Sequence, residues 1–351
     1  MDSATSPITR RVVDCDVHPA IPRVETLFPY LSAHWVEYMT QSAFRGPVDT
    51  SYPKGYPNGG SVDATVSEPA SLAGAVLRGP DDQAILNCLY AVDSVHNPDT
   101  AHALARAVND WVADRWLSAD ARFRASIVVN VQQPSMASAE IDRVAGNRGF
   151  VQVLLPVRTR VGLGDPLFNP IYEAAVRHNL PVGVHFGGAP GNAMSGDGWD
   201  DLYVEEYAGM AAIAQVQISS LVGHDVFGRF PALRLTFLEM GWRWVGPLMG
   251  ELDRAARGMH RRFARGTELP STMIRAHTRF GLTPGYASND VVRDEIASAG
   301  LADLLLFTSD FPHVHGSDPT EVLKGLGPAR AHAIEAANAW DWYPRLGDGE
   351  R

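Results

Sequence analysis

The sequence is sparing in features that mark several protein classes. Its 351 residues include two cysteines, Cys15 and Cys88. That is too few for a disulfide scaffold or a paired-cysteine metal site. Both lie in apolar, strand-like runs and read as buried thiols. Positive charge is in deficit, with 30 Lys and Arg against 40 Asp and Glu and a net charge of −10. Neither a nucleic acid nor an anionic membrane surface is expected as a partner. No apolar run reaches the length of a membrane span. The opening MDSATSPITRR lacks the apolar core of a signal peptide, so a cytoplasmic protein is expected. The first strand-like run is not followed by G-x-G-x-x-G, which sets aside a dinucleotide-binding fold. No internal repeat is visible.

What remains is ordinary globular composition, 45% hydrophobic and 20% charged. Short apolar runs fall at 12–17, 84–90, 125–129, 150–155, 180–186, 233–238, 279–282 and 304–308. Between them lie helical patterns. Asp99 starts one, with Leu104, Val108, Trp111 and Val112 at helical spacing and Asp or Thr as its cap. Asn169-Pro170 reads as a cap and first-turn proline, with Asn179 at the stop. Further helices are expected over 240–265, 289–299 and about 329–345. Eight buried-type strands with intervening helices point to a parallel sheet. The length allows two domains of about 150 residues, but an α/β barrel uses it as one. A single domain over 1–351 is expected, with loop insertions at about 45–80 and 187–201. Such long Gly- and Pro-rich loops commonly serve binding.

Chemistry-bearing residues fall at strand ends. In Asp14-Cys15-Asp16-Val17-His18, alternation places Asp16 and His18 on one face, with Asp14 further down. His185 ends the fifth run and Asp310 directly follows the eighth. Each alone reads as an ordinary polar strand end. In a closed barrel the three ends share one rim, and two imidazoles with carboxylates suit Zn²⁺, or Mn²⁺ in an oxygen-rich site. Glu239 ends the sixth run and is a candidate general base or acid, although a salt bridge to Arg243 or another rim arginine explains it nearly as well. His224 is a second catalytic candidate. Trp242, Trp199 and Phe311 are expected to wall an apolar substrate, and Trp340, Trp342 and Tyr343 to dock a partner or pack the last helix.

These marks together resemble the amidohydrolase superfamily, in its mononuclear branch containing aminocarboxymuconate-semialdehyde, resorcylate and carboxyvanillate decarboxylases. The marks are DCDVH, Asn109-Asp110-Trp111, GVHFGG, the run from Val226 to Arg234, Glu239-Met240-Gly241, Ser309 to His313, and Asn338-Ala339. The resemblance implies a (β/α)8 TIM barrel with one divalent metal, ligated by Asp16, His18, His185 and Asp310, in a homodimer. No carboxylated lysine is suggested, so a binuclear centre is not expected. The decarboxylases carry a catalytic histidine where this chain has Glu239. The arginine that binds substrate carboxylate has no local match, leaving Arg45 and Arg243 as candidates beside His313 and Trp242 for substrate contact.

The expectation is therefore a metal-dependent hydrolase of a small organic acid, amide or lactone, with Glu239 as the base that activates a metal-bound water. The alternative is a non-oxidative decarboxylase of an aromatic or unsaturated acid, with His224 or His313 supplying the proton. A barrel that binds without catalysis is the third reading.

Overall fold

The eight apolar runs form strands because each is buried along most of its length, as parallel strands covered on both faces are. The computed structural model describes residues 11–47, 64–188, 202–258, 268–284, 287–315 and 318–349. The strands are β1 (Val13–Val17), β2 (Gln83–Leu86), β3 (Phe123–Val128), β4 (Phe150–Arg158), β5 (Val182–Gly188), β6 (Leu235–Leu238), β7 (Thr278–Gly281) and β8 (Leu305–Leu306). Neighbours in sequence are neighbours in the sheet, and every pair is parallel. Closure does not depend on the short β8 alone. The N–H of Cys15 donates to the Phe307 carbonyl, that of Asp310 to Asp16, and that of His18 to Phe311, at 2.9 to 3.0 Å. The result is a (β/α)8 barrel whose closing seam is made by the backbone of predicted site residues.

Several local expectations shift, each for a capping or packing reason. The helix expected from Asp99 spans Pro98–Trp111, and Asn97 is its cap, accepting from the N–H groups of Asp99 and Thr100. Proline at the first position moves the start upstream. Asp165, not Asn169, caps the entry to the Asn169–Arg177 helix, through a short turn at Pro166–Phe168. Asn169 instead accepts from Arg229 at 2.6 Å. Asn179 does end that helix, in the left-handed region at φ 54. The helix expected over 240–265 is described as Val245–Gly258, because Glu239 and Gly241 take positive φ and form a rim turn. The 45–80 stretch contains two helices, Ala64–Ser67 and Pro69–Val76, with Val66 and Leu72 buried. Residues 48–63 and 189–201, including Trp199, lie outside the described set.

Two of the family marks prove to be structural ties. Asn109 bonds Val128 of β3 through both its amide oxygen and nitrogen. Asn338 donates to the carbonyls of Ala302 and Leu305 at the start of β8.

The C-terminal helix is three consecutive segments, Pro328–His332, Ala333–Ala337 and Asn338–Trp342. The chain then turns into the N-terminal mouth of the barrel. Trp342, Tyr343 and Leu346 pack there against Val13, Cys15, Ile85, Val151 and Leu306. Arg124 and Gln83 donate to the Leu346 carbonyl, and Arg345 donates to the carbonyls of Ala145 and Phe150. Trp342 and Tyr343 are thus a plug rather than a docking surface. Among the described residues no helix is long and apolar enough to cross a membrane.

Candidate metal centre

The site grows from the C-terminal ends of β1, β5, β6 and β8. On β1 the pairing register with β2 shifts between Asp14 and Val17. Asp16 and His18 still converge, but Asp14 does not join them. Its carboxylate accepts from the backbone N–H of Ser309 at 2.9 Å and of Asp16 at 3.3 Å. Burial pushes that carboxyl up to about 7, although the hydrogen bonds from Ser309 oppose the shift.

Asp16, His18, His185 and Asp310 each offer a ligand atom, and these atoms all lie within 4.8 Å of one another. All four side chains are buried. His18 Nδ1 bonds the Asn87 carbonyl at 2.9 Å, which leaves Nε2 facing Asp310 Oδ1 at 2.6 Å. His185 Nδ1 bonds the Phe186 carbonyl at 2.7 Å, which leaves Nε2 facing inward. Backbone carbonyls that hold one ring nitrogen are how proteins aim the other at a metal. Two ligand atoms, Asp16 Oδ2 and His185 Nε2, are buried with no hydrogen-bond partner among the described residues. They lie 3.3 Å apart without hydrogen-bonding alignment. Unsatisfied polar atoms of this kind are costly when buried, and a cation between them satisfies both. Two imidazoles and two carboxylates are a suitable donor set for a divalent ion.

Electrostatics point the same way. Burial works against charge on His18, yet Asp16 and Asp310 outweigh it and push the imidazole up to about 10. Asp310 is held well below the usual carboxylate range: burial opposes this, and His313, His18 and His315 more than offset it. Glu239 is pushed well above its ordinary value, first by burial and then by the Asp310 charge. Surplus negative charge is thus met by protons on His18 and Glu239, where a bound cation would also serve.

Glu239 projects from the turn after β6 into this cluster. Its Oε2 is 3.8 Å from His185 Nδ1 and its Oε1 is 4.0 Å from His315 Nε2. It also groups with Asp310 and His313. Glu239 and Asp310 both adopt left-handed backbone conformations, at φ 56 and 57. For residues other than glycine that is strained, and such strain gathers at functional sites.

His313 lies at the rim, with Nδ1 3.1 Å from Asp310 Oδ1 and its ring 4.9 Å from that of His18. Trp242 is buried in the apolar core beyond Glu239. His224 is not brought to the site. It is exposed and caps the end of the Tyr203–Gly223 helix, which runs back to the N-terminal mouth after β5. Arg243 is exposed and paired with Glu295 on the Asn289–Ala299 helix, so neither it nor the exposed Arg45 converges on the cluster. The alternative reading of Glu239 as the salt-bridge partner of Arg243 does not hold, because Arg243 pairs with Glu295.

His315 escaped the sequence reading. Its Nε2 bonds Asp310 Oδ2, and its Nδ1 meets the Tyr207 hydroxyl at 3.0 Å. The available signal was the H-x-H that it makes with His313 just past Asp310. Asn87, at the end of β2, carried no local signal.

Comparison with known proteins places this geometry. The family model described as Amidohydrolase matches residues 13–345. The gamma-resorcylate decarboxylase of Polaromonas sp. strain JS666 is 27% identical over 159 residues, covering 43% of this chain and 48% of that one. The chain thus matches about half the length of that curated relative. The 5-carboxyvanillate decarboxylase of Sphingomonas paucimobilis superposes with a TM-score of 0.70 at 18% identity, over 96% of this chain and 99% of that chain. The 5-carboxyvanillate decarboxylase of Novosphingobium aromaticivorans, solved as a point mutant with bound manganese, gives 0.72 at 17% identity, over 96% and 97%. These matches overturn the hydrolase expectation. The curated relative and both structural neighbours are decarboxylases of aromatic acids, which favours the alternative reaction.

Proposed function

This chain belongs to the amidohydrolase family, and we propose that within it the protein is a metal-dependent, non-oxidative decarboxylase of a hydroxylated aromatic carboxylic acid. The observation that carries the proposal is a divalent-cation donor set with the buried Glu239 carboxyl beside it. The gamma-resorcylate and 5-carboxyvanillate decarboxylases it resembles supply the substrate class.

Asp16, His18, His185 and Asp310 are the proposed ligands of one divalent ion, and manganese is favoured over zinc because the Novosphingobium enzyme is seen with it. When bound, that ion supplies the positive charge that holds a substrate carboxylate and its neighbouring hydroxyl. Glu239 takes the role of acid in place of the decarboxylases' histidine. It donates its proton to the ring carbon that bears the carboxylate. The bond from that carbon to the carboxylate then breaks, its electron pair returns to the ring, and carbon dioxide leaves. Glu239 recovers a proton from solvent before the next turnover. His313 and Phe311, at the rim beside Asp310, are the proposed walls of the substrate site.

The test is carbon dioxide release by manganese-loaded protein from a panel of hydroxybenzoates, including 2,6-dihydroxybenzoate and 5-carboxyvanillate. Stoichiometric phenol and carbon dioxide from at least one member is the expected outcome. A metal-loaded protein that releases none from the whole panel would overturn the proposal.

A further inference from the structure

We propose that Gln152 and Tyr343 are positioning residues for the Asp16 carboxylate, acting through a one-way hydrogen-bond chain that crosses the barrel from its plugged mouth to its open one. This rests on the metal-centre reading above. The chain starts at the Trp342 indole N–H, which donates to Thr236 Oγ1 at 3.0 Å. The Thr236 and Tyr343 hydroxyls are 3.1 Å apart, and the Tyr343 hydroxyl donates to Gln152 Oε1 at 2.8 Å. Gln152 Nε2 donates to Ser126 Oγ at 2.9 Å and also reaches Asn87 Oδ1 at 3.3 Å. The Ser126 hydroxyl donates to Asn87 Oδ1 at 2.6 Å. Asn87 Nδ2 completes the path, donating to Asp16 Oδ1 at 2.7 Å. Every member is buried.

The ends fix the direction. An indole N–H can only donate and a carboxylate can only accept. With Tyr343 donating to its Oε1, Gln152 must turn its amide nitrogen toward Ser126 and Asn87. Asn87 must then turn its oxygen toward them and its nitrogen toward Asp16. The consequence falls on the metal centre. Oδ1 of Asp16 is engaged by Asn87, and Oδ2 is the oxygen left without a hydrogen bond opposite His185 Nε2. The same Asn87 holds His18 Nδ1 through its backbone carbonyl, so one residue orients both β1 ligands. Hydrogen bonds in such chains polarise one another in a low-dielectric interior.

Space for the chain is built in. A Cβ on Gly183 of β5 would lie 2.4 Å from Gln152 Nε2. Glycine at that position lets the glutamine cross the barrel interior.

The test is manganese binding by the full-length, chelator-treated protein, read by calorimetry and by the electron paramagnetic resonance of free Mn²⁺. Gln152→Glu keeps the shape but puts an acceptor where the chain needs a donor. It should weaken binding about tenfold or more, the usual range for residues behind metal ligands. Tyr343→Phe keeps the ring and removes one link, and should weaken binding by about threefold to tenfold. Leu346→Ala loosens the same plug without touching the chain, and should lower stability while leaving affinity unchanged. Variants that fold and bind manganese within about twofold of wild type would overturn the proposal. So would an equal affinity loss in Leu346→Ala, because packing would then explain the effect. If Gln152→Glu does not fold, Tyr343→Phe decides alone. A wild-type protein that takes up no manganese would overturn the metal-centre reading together with this one.

Discussion

The N-terminal mouth of the barrel is filled by Trp342, Tyr343 and Leu346, which pack against Val13, Ile85 and Leu306, and the Leu346 carbonyl accepts from Arg124 and Gln83. At the C-terminal mouth, buried Asp16, His18, His185, Glu239 and Asp310 crowd together, and Asp16 Oδ2 and His185 Nε2 make no hydrogen bond among the described residues. The same eight strands serve both ends. One end is closed by apolar packing, as a stable core requires. The other gathers carboxylates and imidazoles with strained backbone at Glu239 and Asp310, and such strain gathers at functional sites.

Substitutions at the open mouth should break this contrast first. Asp310→Ala should abolish metal uptake and lower decarboxylation by about 10³-fold or more, the equivalent of several kcal/mol of lost charge stabilisation. Elemental analysis beside carbon dioxide release checks it. Glu239→Gln should lower turnover by about 10² to 10⁴-fold, the usual contribution of a positioned proton donor. Metal content should be unchanged, which separates the acid from the ligands.

The closed mouth should respond oppositely. Leu346 is fully buried, and Leu346→Ala should cost about 2–5 kcal/mol in denaturant unfolding while turnover per folded molecule is kept.

Asp14 sits between the two regimes, a buried carboxyl behind the ligands. Its pKa is about 7 when folded, against an ordinary 3.8. Between those values the folded chain holds a proton that the unfolded chain has lost. Its contribution is therefore fully present below the unfolded pKa and is lost as pH rises through the folded one. Asp14→Asn removes that slope. In metal-free protein the variant's melting temperature should gain on wild type from about pH 4 to about pH 7 and run parallel above. A constant offset across that window would show that Asp14 does not titrate there.

The smallest effects belong outside the site. His224→Ala and Arg243→Ala should leave turnover within about twofold, and loss of the half-exposed Arg243–Glu295 pair should cost about 0–1 kcal/mol.

Much of this was legible before the fold was known. Continuous apolar runs carried the strands, because burial on both faces leaves no room for polar alternation. Asp16, His18, His185 and Asp310 stood out by sitting at the ends of those runs. Reaction type was not legible in the same way. Glu239 in place of a histidine suggested water activation, whereas burial and the neighbouring Asp310 charge push that carboxyl well above its ordinary value, the direction that suits the proposed acid.

The sequence by itself determined the approximate strand positions and the parallel sheet, since each depends on residues close along the chain, and it marked Asp16, His18, His185 and Asp310 as strand-end candidates. Tertiary structure decided what depends on distant ones. His18 and Asp310 meet across 292 residues, and Tyr343 reaches Gln152 across 191. Ring closure through the β1–β8 seam, the Ser309 hydrogen bond that holds Asp14, the arrival of His315 and the exclusion of His224 and Arg243 all follow from such meetings. Local pattern measures which face a residue presents, and only the closed barrel determines what that face encounters.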